Sequence, residues 1–160
     1  MNKKQILQHI IASLGTDLDV LSRAAKTAHE AATHEECVAD NKYDTLGLEA
    51  SYVAQGQANR AQEIKQAMEA YRKLELRNFA GDAAVRLTAL VTLEAEDGST
   101  RTVFLGPEAG GLKIEEDGEE IIVITPGSPL GRALLGKCAG DRVELPAGSA
   151  ERAYEIVDVR

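Results

Sequence analysis

Two runs of apolar residues at alternating steps of three and four occupy the first half of the chain and leave it few ways to fold. The first comprises Leu7, Ile11, Leu14, Leu18, Leu21, Ala25, Ala28 and Ala32. The second comprises Leu46, Ala50, Val53, Gln57, Arg60, Ile64, Ala67, Tyr71 and Leu74, with Gln57 and Arg60 as polar breaks. A stripe that recurs every 3.5 residues is the face of a helix that supercoils on a partner. Two consecutive stripes bury each other if the chain reverses near position 40, so an antiparallel helical hairpin is expected, with Leu7 facing Leu74, Leu18 facing Ile64 and Ala28 facing Val53. At ~1.5 Å per residue the first stripe runs about 38 Å, and its distal alanines let the helix axes approach. Gly15 lies inside the first arm, where glycine costs up to about 1 kcal/mol relative to alanine, and Thr16-Asp17 can restart a helix as caps. A kink or break is expected there.

The expected turn is acidic. Glu30, Glu35, Glu36, Asp40, Asp44 and Glu49 face only Lys42 within the same stretch. This charge is local: residues 1–77 carry 10 basic and 11 acidic side chains, whereas the remainder carries 8 and 15, giving a chain total of −8. That balance argues against general nucleic-acid binding, which requires clustered cations to displace counterions from phosphates. In a helical tip Glu36, Asp40 and Asp44 would share one face, although their repulsion opposes helix formation. The plain alternative is a solvated acidic turn that keeps a hairpin soluble. His29, His34 and Cys37 match no closed tetrahedral spacing, so no metal is expected in the isolated protein. Two cysteines, no cleavable apolar leader and no apolar run near 18 residues suggest a soluble cytoplasmic protein without membrane contact. Cys138 is expected to pack as a small hydrophobe, unpaired with Cys37.

After Arg77 the period changes from helical to alternating. Asn78, Gly81 and Asp82 mark a linker at residues 78–82 between a helical domain, 1–77 with its acidic tip near 35–45, and a second domain, 83–160. Val85, Leu87, Ala89, Val91 and Leu93 alternate with more polar neighbours, and Asp97-Gly98 provides a tight turn before a strand at 102–105. Further strands are expected at 111–114, 120–125, 142–145 and 153–159. The acids of residues 115–120 around Gly118 fit a solvated hairpin turn. Ser128 as cap, Pro129 at the first helical position, an apolar face of Leu130, Leu134 and Leu135, and a stop at Gly136 define one short helix. The fold class expected is α+β: a helical hairpin followed by a small antiparallel sheet covered by one helix.

Three segments together carry a resemblance. They are the run from Ser128 through Pro129, Leu130, Gly131, Arg132, Ala133, Leu134, Leu135 and Gly136 to Lys137, then Gly140-Asp141-Arg142-Val143-Glu144-Leu145, and Tyr154-Glu155-Ile156-Val157-Asp158-Val159. This pattern resembles the C-terminal domain of the Gre family, the GreA/GreB-type bacterial transcript-cleavage factors, and the order of a coiled coil before an FKBP-like domain resembles them over nearly the whole chain. The resemblance implies a factor that binds RNA polymerase at the rim of its secondary channel, with Ser128, Pro129, Leu130 and Arg132 as contact residues. It also implies a coiled coil that enters the channel, and tip carboxylates Asp40, Asp44 and Glu36, supported by Asn41 and Tyr43, that assist the polymerase's own Mg²⁺ in cutting backtracked RNA. No cofactor is then bound by the protein alone, contact with nascent RNA is indirect, and the nuclease is the polymerase, not this chain.

The tip departs from the family pattern. Asp40-Asn41 fits its Glu-Asn position and Tyr43-Asp44 its acid and tyrosine in reversed order, but Cys37 stands where the first acid belongs. Gly127 likewise stands where an acid commonly precedes Ser-Pro. A channel-occupying regulator or inhibitor without cleavage stimulation therefore remains a second reading. A prolyl isomerase, suggested by fold analogy alone, is a third; with 4% aromatic residues and no tryptophan, the apolar pocket it needs has little material. A monomer is expected, because a hairpin satisfies its own seam.

Overall fold

The computed structural model describes residues 1–36, 46–146, 148 and 153–160. The chain forms two compact units, Ala12–Glu69 and a second comprising Met1–Ile11 with Ala70–Arg160. The boundaries read from sequence at 77 and 82 both fall inside the second.

The first unit is a helical hairpin built from most of α1 (Lys3–Glu36) and α2 (Leu46–Arg72). Leu14 is buried and Leu18, Leu21, Ala25 and Ala28 are half-buried, as the first stripe requires. On α2 the seam runs through Ala54, Gln57, Ala61, Ile64, Ala67 and Met68, while Val53 and Arg60, expected on it, are exposed. Both phases are possible because Gln57 and Ile64 belong to each; small Ala54 and Ala61 fill the intervening positions, and Arg60 turns outward to Glu63, 2.9 Å away. The expected break at Gly15 does not occur: α1 is continuous, and Thr16 Oγ1 donates to Ala12 O (3.2 Å) within the helix instead of capping a new one.

The second unit is a six-stranded sheet in the order β3-β4-β2-β1-β6-β5. Its strands are β1 (Leu90–Ala95), β2 (Thr100–Leu105), β3 (Lys113–Glu116), β4 (Glu119–Ile124), β5 (Arg142–Glu144) and β6 (Ala153–Val159), with α3 (Pro129–Leu134) between β4 and β5. The expected α+β class holds, with one ladder corrected: β2 and β4 pair in parallel, Thr102 with Ile121 through Leu105 with Ile124. The chain leaves β2, returns along edge strand β3, and a hairpin then inserts β4 beside β2 in the same direction. That hairpin closes through Asp117 and Gly118 at φ 53° and 80°, the primed geometry suited to strand twist.

Alternation from Val85 to Leu93 reads as one strand, yet β1 begins only at Leu90. Thr88 interrupts it with φ 74°, although Val85, Ala89, Val91 and Leu93 all enter the core. Beneath α3 that core joins them with Val103, Leu105, Leu134, Val143, Tyr154 and Ile156. Leu130 packs against it, whereas Leu135, expected on the same face, is 39% exposed because the helix ends at Leu134 and turns at Gly136 (φ 80°). Ile6, Ile10 and Tyr71 are fully buried within this unit.

Candidate functional site

Two separate groups of residues were singled out by sequence, and they fare differently. Of the tip residues, Asp40, Asn41, Tyr43 and Asp44, together with Cys37, lie outside the described residues. Glu36 is the last residue of α1. Among the flanking acids, Glu30 is exposed and lies 3.9 Å from Lys26 one turn earlier, and Glu49 is exposed in the first turn of α2. Among the described residues no group of three or more His, Cys, Asp or Glu side chains is placed to hold a metal ion.

The Ser128–Arg132 group is fully described. Ser128 sits in extended conformation (φ −70°, ψ 155°) ahead of α3, accepts from the Gly131 N–H at 3.0 Å and donates its hydroxyl to Thr125 O at 2.8 Å. One hydroxyl thereby satisfies an otherwise orphaned helix donor and ties the helix start to the end of β4. Pro129 occupies the first helical turn, where its missing N–H removes no bond. Gly131 is required by proximity: a Cβ there would lie 1.9 Å from Thr125 O. The Ser-Pro-Leu-Gly run is therefore first a device for seating a short helix directly on a strand end. Ser128 and Leu130 are half-buried in that packing, while Pro129 and Arg132 face outward and form the exposed part of the group. Gly127 is exposed with open space around its Cα.

A shallow groove of about 750 Å³ opens on the sheet beside β1, β2 and β4. Its walls combine hydroxyls and charges, among them Thr92, Thr102, Lys113 and Glu119, with the apolar Leu90 and Ile122. Lys113 is paired with Glu120 at 3.1 Å. Phe104 and Tyr154, the aromatics that a proline pocket would use, are buried in the sheet.

Sequence reasoning missed Glu116 and Lys3 as anchors in the sheet unit, and it placed Tyr71 on the second apolar stripe without its partner there. Glu116, read as part of a solvated acidic turn, is 5% exposed, and its Oε2 lies 2.8 Å from His9 Nδ1. The β-alternation is the signal that would have found it, since Glu116 lies two residues after buried Ile114 on the same strand face. Tyr71 donates its phenol to Glu108 O (2.7 Å), and burial, the larger influence, pushes its ionisation upward. Its oxygen lies only 2.0 Å from where a Cβ at Gly106 would be. Lys3, whose ionisation is pushed down by burial, donates to Thr88 O at 3.2 Å and to Arg77 O.

The sequence profile described as "Transcription elongation factor, GreA/GreB, C-term" matches residues 80–160, half of the chain. The chain belongs to the GreA/GreB family. Among its relatives is the transcription elongation factor GreA of Mesorhizobium japonicum, 27% identical over all of this chain and 99% of that protein. Another is the GreA of Chlorobium phaeobacteroides, 28% identical over 75% of this chain and 83% of that one. A solved structure, GreA factor homolog 1 (Gfh1) of Thermus thermophilus, aligns at 19% identity over 94% of both chains with a TM-score of 0.40. The family match includes the whole Ser128–Arg132 group, and the full-length GreA alignment extends through the arms. No described helix is long and apolar enough to cross a membrane.

Proposed function

We propose that this GreA/GreB-family elongation factor acts by binding RNA polymerase through the sheet domain, with Pro129 and Arg132 as exposed contacts held by the Ser128 cap and the Leu130 packing. The helical hairpin enters the secondary channel and carries Asp40, Asp44 and Glu36 to the polymerase active centre, with Asn41 and Tyr43 supporting the turn. The observation that carries this reading is alignment of the whole chain with a GreA-named protein, joined to acids concentrated where α1 gives way to α2. Hard carboxylate oxygens suit the Mg²⁺ that the polymerase holds, and that ion supplies a polarised water and neutralises charge on the phosphate. The chain's own part is to present carboxylates at the end of a narrow arm, acting as a cytoplasmic monomer that contacts RNA only through the polymerase.

Cys37 favours a second reading in which the factor occupies the channel without stimulating cleavage, because a thiol offers Mg²⁺ a softer ligand than the carboxylate it replaces. Backtracked elongation complexes separate the two. The primary reading expects RNA shortening with the unmodified protein. Polymerase binding without shortening, converted to shortening by Cys37→Asp, selects the second; absence of polymerase binding overturns both.

A further inference from the structure

Thr88 is a β-branched residue in the left-handed region, φ 74°, with 1% of its surface exposed. Such a conformation is a genuine outlier and persists only where its surroundings over-determine it. Here each polar group of the residue is held by a different segment. Its N–H donates to Leu105 O at 2.8 Å, its Oγ1 accepts from Arg77 N–H at 3.0 Å, and its carbonyl accepts from Lys3 Nζ at 3.2 Å. The same ammonium donates to Arg77 O and sits 4.5 Å from the centre of the Phe79 ring. One side chain from the first turn of α1 therefore touches residues 77, 79 and 88. The stretch between is held also by Phe79, which packs against the core and has Arg86 5.9 Å from its ring centre, and by Val85 N–H donating to Lys137 O (2.7 Å) and Gly136 N–H donating to Val85 O (2.9 Å).

We propose that residues 77–88 form a strained strap with two arrangements and that the Lys3 ammonium is its latch. With Lys3 seated, Thr88 is held left-handed and the strap lies closed against the end of β2. With Lys3 withdrawn, the Thr88 carbonyl loses its cation and Arg77 O its donor, Thr88 relaxes to negative φ, and the Arg77–Thr88 and Thr88–Leu105 bonds open together. The Val85 pair stays closed, so the opening is local. Because the latch belongs to α1, the strap responds to whether the first turn of that helix is seated. Nothing in this device depends on polymerase binding.

Amide hydrogen exchange, resolved by NMR on the full chain, tests it with Lys3→Met, which keeps the apolar stem over Phe79 and removes the charge. The Arg77 and Thr88 amides are expected to exchange at least ten-fold faster, with Leu93 and Val103 in β1 and β2 unchanged. Thr88→Gly in the same background distinguishes stored strain from a lost bond, since glycine adopts φ 74° without penalty. The amide at position 88 is expected to return to within about three-fold of the unmodified protein, whereas Arg77, lacking its Oγ1 acceptor, stays fast. Unchanged exchange in Lys3→Met, acceleration spread evenly over the sheet, or no recovery at position 88 in the double variant each overturns the proposal.

Discussion

Replacing Gly131 by alanine introduces one methyl group at the point where α3 meets the end of β4. That carbon would lie 1.9 Å from Thr125 O, 2.8 Å from Thr125 C and 2.9 Å from Ser128 Oγ. The first two are backbone atoms at the end of a strand paired to β2, so the helix must move and the strand cannot. Moving it stretches both Ser128 bonds, to Thr125 O and from Gly131 N–H, and lifts fully buried Leu134 from the core. Overpacking of this kind costs about 1–3 kcal/mol, and loss of the cap adds about 1 kcal/mol. A gain of a few tenths from alanine's higher helix propensity is too small to offset this. Urea unfolding of the full chain is therefore expected to show Gly131→Ala destabilised by roughly 2–4 kcal/mol, a shift of about 4–16 °C in Tm for a chain of this size. Ser128→Ala should lose only the cap, about 1 kcal/mol, and Pro129→Ala less than about 0.5 kcal/mol. If Gly131→Ala unfolds within about 0.5 kcal/mol of the parent, the close seat of α3 on Thr125 is wrong, and with it the structural reason for the Ser-Pro-Leu-Gly run.

Three further outcomes follow from the packing of the two units, each taken by itself. Gly15→Ala should raise stability by up to about 1 kcal/mol in urea unfolding, because the new Cβ would meet only Met68 Cε at an ordinary 3.7 Å; a loss would show that the helix is not regular there. Tyr71 ordinarily ionises near pH 10, and burial raises that value in the folded chain. The unfolded chain therefore releases the proton first, so the stability this phenol contributes is present below pH 10 and declines as pH rises above it. Tyr71→Phe should flatten the stability profile above pH 10, and an unchanged slope would place the phenol in water. His9→Ala should cost about 1–3 kcal/mol by leaving the buried Glu116 carboxylate without its 2.8 Å partner; in a double-mutant cycle with Glu116→Gln the two losses should fall well short of additive.

The stripe on α1 was legible from Leu14 to Ala28 because every member is apolar and the period is unbroken, whereas in the first turns Ile6 and Ile10, not Leu7 and Ile11, are the fully buried residues. The stripe on α2 was not uniquely legible: Gln57 and Ile64 fit two phases, and only packing decides that Ala61 faces inward and Arg60 outward. Strand positions after residue 90 followed from alternation and from turns such as Asp97-Gly98, where the Asp97 carboxylate accepts from both the Ser99 hydroxyl and its N–H and is thereby held below its usual range. Alternation failed at Thr88, since a backbone flip leaves the apolar spacing intact while breaking the strand. The parallel β2–β4 ladder was hidden for a different reason: pairing partners far apart in sequence leave no local signature. Within the candidate site, Ser128-Pro129 was readable as a helix start, but the need for glycine at 131 depends on the carbonyl of Thr125 and is visible only in three dimensions. Charge alone misled at Glu116, where the pattern of its own strand outweighs the acidic run around it.

RNA cleavage in backtracked elongation complexes at fixed Mg²⁺, with the unmodified protein beside Asp40→Ala and Asp44→Ala, tests the proposed role of the tip most directly. Polymerase binding should be equal for all three proteins, with stimulated shortening of the RNA by the parent and its collapse in both variants. Equal binding with shortening that survives both substitutions would contradict the assignment of the chemistry to these carboxylates.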